Sequence, residues 1–197
     1  MKEAIQTLIT SDKMAHAFEY LKQDEAHTID QQIELVQISS FSPFEEKRAI
    51  RFKELLTEAG LDPVMDEVHN VYAHIHGTGN GPTLYVSAHL DTVFPPETPL
   101  PVKREGTKIY APGIGDDTRG LAEILTLARA IKESGLKPVG DIIIGGNVGE
   151  EGLVDLRGMR HFFSQNTDKV DGFISVDGAG LSLIHISEPT RRTPISY

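Results

Sequence analysis

The apolar positions of this 197-residue chain fall into two regimes. Over the first sixty residues they recur at helical spacing. Ile29, Ile33 and Val36 share one face, and Thr28 followed by Gln31 three residues later predicts a capping box ahead of them. A second helix is predicted with Ser42 as N-cap, Pro43 at its first position and Glu45 three residues after the cap. Its apolar stripe is Ala49, Ile50, Phe52, Leu55 and Leu56, and Gly60 stops it.

Beyond residue 60 short apolar runs alternate with helical stretches. Residues 64–76 are rich in β-branched and aromatic types, and GTGNGP then breaks the run. TLYVSAHLDT, DIIIGGN and GFISVDG read as strands, and the Pro-rich TVFPPETPLP as a loop. Residues 120–134 carry Leu121, Ile124, Leu125, Ala128 and Ile131 on one helical face, ended by Gly135 and Pro138. A shorter helix is predicted over 155–165. Strands alternating with helices imply an α/β fold with a largely parallel mixed sheet, right-handed crossovers and flanking helices. No internal repeat or low-complexity segment interrupts the pattern.

Composition narrows the function. With 39% hydrophobic and 24% charged residues the chain fits a soluble globular protein of one domain, or one domain and part of another. A net charge of −10 without a basic stripe argues against nucleic acid as a partner. The absence of cysteine excludes disulfides and thiolate metal sites, so any metal must be held by histidine and carboxylate. The N-terminus lacks the apolar core of a secretion signal and no apolar run reaches membrane-spanning length. No membrane partner and a cytoplasmic location are therefore expected.

Four segments place metal-type ligands where strands are predicted to end: His89 and Asp91 in SAHLDT, Asp116 and Asp117 in GIGDDTRG, Glu150 and Glu151 in NVGEEG, and Asp177 in SVDG. Each alone would be an ordinary solvated element. Together, at the carboxyl edge of an α/β sheet, they would raise one another's pKa unless a cation were present. Alternation along a strand points His89 and Asp91 the same way, so the imidazole can bind a metal while the carboxylate orients it. Asp116, just before a predicted helix, could bridge two cations. Glu150 and Glu151 are consecutive and diverge, so one can coordinate metal while the other faces a water as general base. Asp177 would complete the other metal's ligands. Nitrogen and oxygen donors without sulfur suit Zn2+, with Co2+ or Mn2+ as alternatives. His69, His74, His76 and His161 read instead as structural or solvated residues.

HLD, GIGDD before a helix, GEEG and VDG, in this order and spacing, resemble the catalytic domain of the M20 family of zinc metallopeptidases and amidohydrolases, which includes peptidase T, glutamate carboxypeptidases and acetylornithine deacetylase-like enzymes. The resemblance covers about residues 64–180. It implies two zinc ions, one held by His89, Asp116 and Asp177 and the other by Asp116 and Glu151. Asp91 would be the orienting carboxylate and Glu150 the catalytic base. Taking Asp116 rather than Asp117 as the bridge follows the family's Asp-Asp-Lys-x-Gly segment, whose Lys is Thr118 here. The implied substrates are small peptides or N-acyl amino acids. The rivals are an N-deacylase and a binding protein that kept the fold and lost catalysis.

The resemblance also implies a lid and dimerisation domain and a later second histidine ligand, so a homodimer would form through segments beyond this sequence. Residues 1–60 are expected as the helical start of the catalytic domain, 61–180 as an incomplete metal-binding α/β part. For 181–197, LSLIHISEPTR matches a translated sequencing adaptor, and the rest fits its continuation. That tail, His185 included, is expected to be non-native, and a chain ending there poorly soluble and inactive, an interaction fragment only if the tail were genuine.

Overall fold

The computed structural model describes residues 2–178. The segment 181–197, with His185, lies outside the described residues. Four helices lead the chain: α1 (Lys2–Ile9), α2 (Asp12–Gln23), α3 (Glu25–Val36) and α4 (Glu46–Glu58). Strands β1 (Val64–Met65), β2 (Val71–Ile75) and β3 (Leu84–His89) follow, then a hairpin of β4 (Lys103–Glu105) and β5 (Lys108–Tyr110). The remainder is α5 (Thr118–Ser134), β6 (Ile142–Asn147), α6 (Arg157–Asn166) and β7 (Gly172–Ser175).

The main sheet has the order β1-β2-β6-β3-β7. Its core is parallel, β3 running alongside both β6 and β7, while β1 and β2 form an antiparallel margin. The fold is thus the mixed α/β class that the alternating pattern implied. Alternation in the strands builds two layers of packing. Val71, Val86, Ala88 and Ile144 face α4 and α5 and join Leu35, Phe52, Leu55, Leu56, Leu121, Ile124 and Leu125 in the larger core. Tyr85 and Ile143 point to the opposite side, where Phe162 of α6 covers them.

Two helix starts and one buried position differ from the sequence reading. Helix α3 begins at Glu25, so Thr28 lies inside it and bonds the Asp24 carbonyl from its hydroxyl at 3.0 Å instead of capping. Helix α4 begins at Glu46, after a Ser42–Pro43 bond that is cis, and the Glu45 carboxylate accepts from the Ser42 hydroxyl and the Gly149 N–H instead of closing a capping box. Ile50, assigned to the apolar stripe, is 43% exposed, since the buried face runs through Ala49, Phe52, Leu55 and Leu56. Gly60, with φ at +84°, does end the helical segment.

Candidate metal centre

Because β6, β3 and β7 run parallel, their carboxyl ends lie on one edge of the sheet, and the loops leaving them carry the acidic motifs. β3 ends in His89, which is nearly fully buried, as is Asp91 two residues on. The imidazole Nε2 faces Asp116 Oδ1 at 2.8 Å and Asp177 Oδ1 at 3.7 Å. Its Nδ1 is 3.0 Å from the backbone oxygen of Asp91 and 3.5 Å from the Asp91 carboxylate. Orientation of the ring is therefore shared between the carbonyl and the carboxylate of Asp91, a division that residue types alone did not reveal.

The Asp91 carboxylate has a second task. Its two oxygens accept the backbone N–H groups of Glu150 at 3.0 Å and Glu151 at 2.9 Å. These bonds tie the loop after β6 to the loop after β3. Burial opposes ionisation of Asp91, but the His89 bond and the two amides outweigh it, and its pKa lies below the ordinary value.

Asp116 and Asp117, joined by a cis peptide bond, do different things. Asp117 is buried; it caps α5 through the Gly120 N–H at 3.1 Å and accepts the His89 N–H at 3.0 Å. Burial pushes its carboxyl up to about 7. Asp116 is more than half exposed and turns toward the imidazole. Asp177 reaches the same point because its neighbour Gly178 lets the chain pass close to Gly115, where a Cβ would stand 2.3 Å from the carbonyl oxygen.

The described residues hold two groups of three metal-type ligands whose donor atoms lie within 4.8 Å of one another: His89, Asp116 and Asp177, and His89, Glu150 and Glu151. The donor set fits a divalent cation, since four carboxylates converge on one imidazole and every donor is nitrogen or oxygen. Burial first, and then neighbouring acidic groups, raise the pKa of both Glu150 and Glu151. For His89 burial works against protonation, yet the hydrogen bond to Asp91 and the surrounding carboxylates carry it up to about 10. These shifts follow from burial and from the negative charge gathered around His89. A cleft of about 450 Å3, lined in part by Val93, Phe94, Ile114, Asp116 and Glu151, opens beside the cluster.

His74, His76 and His161 have partners of their own outside this cluster. His74 stacks on His76 at 5.9 Å, and His76 Nδ1 meets Asp141 at 3.3 Å; His161 sits 3.3 Å from Glu67. Residue types did not disclose Glu45, which is fully buried beneath the Glu-Glu loop, nor Arg48, buried on the Leu90 and Ile38 carbonyls. The run around them, FEEKRAIRFKE, is dense in charge, so nothing in the residue types sets these two apart.

The model of peptidase family M28 matches residues 70–185. Carboxypeptidase G2 of a Pseudomonas species is 38% identical over 84 residues, which is 42% of this chain and 20% of that protein. Aminopeptidase PepT of Bacillus cereus superposes with a TM-score of 0.65 at 25% identity, covering 78% of this chain and 43% of that one. A tripeptidase of Staphylococcus aureus superposes at 0.62 with 29% identity, over 79% and 44% of the two chains. The matched part of the chain thus spans less than half the length of each of these relatives, all of them peptidases by name. On the match over 70–185, the chain belongs to peptidase family M28.

Proposed function

We propose that the intact protein is a metallohydrolase that cleaves an amide bond in a small peptide or N-acyl amino acid, with two zinc ions at the carboxyl edge of the sheet. The observation that carries this is the convergence of His89, Asp116, Asp177, Glu150 and Glu151 from three parallel strand ends and the start of α5. His89, Asp116 and Asp177 would hold one ion, and Asp116 and Glu151 the other. The chemistry such a metal supplies when bound is polarisation of the amide carbonyl and acidification of a water.

The chain's own residues do the rest. Asp91 fixes the imidazole from its Nδ1 side, leaving Nε2 toward the carboxylates. Glu150 is the general base. Its half-buried carboxyl has a raised pKa, chiefly from burial, which makes it a stronger proton acceptor than an exposed glutamate. The cleft beside Asp116 and Glu151, with Val93, Phe94 and Ile114 in its wall, receives the substrate. The peptidase names of the relatives favour peptides over N-acyl amino acids, and the charge of −10 supports a small-molecule partner over nucleic acid. A cytoplasmic location and a homodimer belong to the same reading.

Glu150→Gln in the full-length gene product tests the mechanism. It is expected to keep its metal and lose turnover by roughly two orders of magnitude or more. Unchanged hydrolysis would sink the role. Parallel assays on peptides and on N-acyl amino acids assign the substrate class.

A further inference from the structure

Three successive backbone amides carry the Glu-Glu pair, and buried carboxylates from other parts of the chain hold all three. Asp91 accepts those of Glu150 and Glu151. The Gly149 N–H goes to Glu45 Oε1 at 3.1 Å. Glu45 lies at the start of α4, more than a hundred residues away in sequence, and its side chain is fully buried. It also accepts the Ser42 hydroxyl at 3.1 Å, and its second oxygen pairs with the guanidinium of Arg157 at the start of α6. Arg157 in turn donates to the Val68 carbonyl at 3.0 Å and lies against Gly149, whose φ of +66° turns the chain there.

We infer that Glu45, locked by Arg157, is a positioning residue that aims Glu150 and Glu151. Resting on the roles proposed for those two residues, the inference adds a second anchor to that of Asp91. The two anchors act on opposite ends of the 149–151 turn. With Asp91 alone the turn could pivot about the Glu150 and Glu151 amides. With Glu45 on the preceding amide, its direction is fixed relative to β3 and α4. A buried carboxylate with no exposed surface is costly unless ionic and hydrogen-bonding partners offset the desolvation. Here those partners are Arg157, Ser42 and the turn itself, so the ion pair and the loop geometry depend on each other.

The test is Glu45→Ala in the full-length gene product, read in two ways. Amide hydrogen exchange on the metal-free protein is expected to show protection at residues 149–151 falling about tenfold or more, while β3 and β6 keep theirs. In steady-state kinetics kcat is expected to fall about tenfold or more with KM within about threefold, because a misaimed base costs turnover before it costs binding. Glu45→Gln, which keeps an oxygen for Gly149 but gives up the charge that pairs with Arg157, is expected to fall between the wild type and Glu45→Ala in both readouts. Uniform loss of protection across the sheet, or no change at 149–151, would overturn the inference. If Glu45→Ala does not fold, Arg157→Ala is read instead. It is expected to loosen the same three amides, and unaltered exchange there would count equally against the clamp. The exchange measurement needs no activity, so a fully active Glu150→Gln protein would remove the base assignment while leaving the clamp to be judged by its own readout.

Discussion

Asp116 and Asp117 are adjacent acids with opposite environments. Asp117 is buried and spends its oxygens on the amides of Gly120 and His89, whereas Asp116 is largely exposed and faces the imidazole. The account therefore predicts that Asp117→Ala, losing a helix cap, destabilises the metal-free protein by about 1–2 kcal/mol. Asp116→Ala should leave stability within about 0.5 kcal/mol and lower the bound metal to one equivalent or fewer. Denaturant titration and metal content of the two variants check this. Sequence alone selected Asp116 through the family's motif and not through physics, because both residues are equally acidic. The discriminating fact is which of them the start of α5 turns inward.

Helices α2 and α3 are fastened to α5 by a buried polar knot. Asp24, at the junction of α2 and α3, accepts from Thr126 at 2.7 Å and pairs with Arg129, which also reaches Gln31 at 2.7 Å. Removing Arg129 leaves the Asp24 carboxylate buried without its cation, so Arg129→Ala is expected to cost about 3–5 kcal/mol in a denaturant titration. Burial opposes ionisation of Asp24, yet Thr126 and Arg129 hold its pKa below the ordinary 3.8. A lowered folded pKa means that its contribution is complete above 3.8 and is lost as pH falls from there through the folded value. Stability measured across that acid range should decline in the wild type and decline less in Asp24→Asn. This knot is why no capping box forms at Thr28: the helix begins earlier, next to Asp24, which is committed to α5. The hairpin of β4 and β5 leaves no pattern in the sequence for another reason. Its residues are nearly all exposed and show no alternation of apolar and polar side chains. The strands and α5 were legible because their periods match the faces they bury.

Across the whole molecule the site occupies one sheet edge and the exposed apolar surface another. Among the described residues β7 pairs with β3 alone, and its Phe173 and Ile174 are 42% and 48% exposed. An apolar edge strand of this kind invites intermolecular pairing. The 197-residue chain is expected to self-associate in a concentration-dependent way by light scattering, and Ile174→Lys to reduce it. A monomer at all concentrations would contradict this. What the sequence made plain at this scale was the gathering of four motifs, three at strand ends and, contrary to the expectation for Asp116 and Asp117, one at the start of α5. The internal ties, Glu45 to Gly149 and Asp91 to the Glu-Glu amides, were hidden because they join side chains to backbone groups that carry no residue signature.

His89, Asp116, Asp177 and Glu151 would hold two metal ions in the function proposed, with Asp116 needed for both. That arrangement is tested most directly by counting zinc after equilibrium dialysis of the full-length gene product and of Asp116→Ala. The account predicts roughly two equivalents per chain in the wild type and one or fewer in the variant. A wild type without bound zinc, or a variant that keeps the full complement, would contradict it.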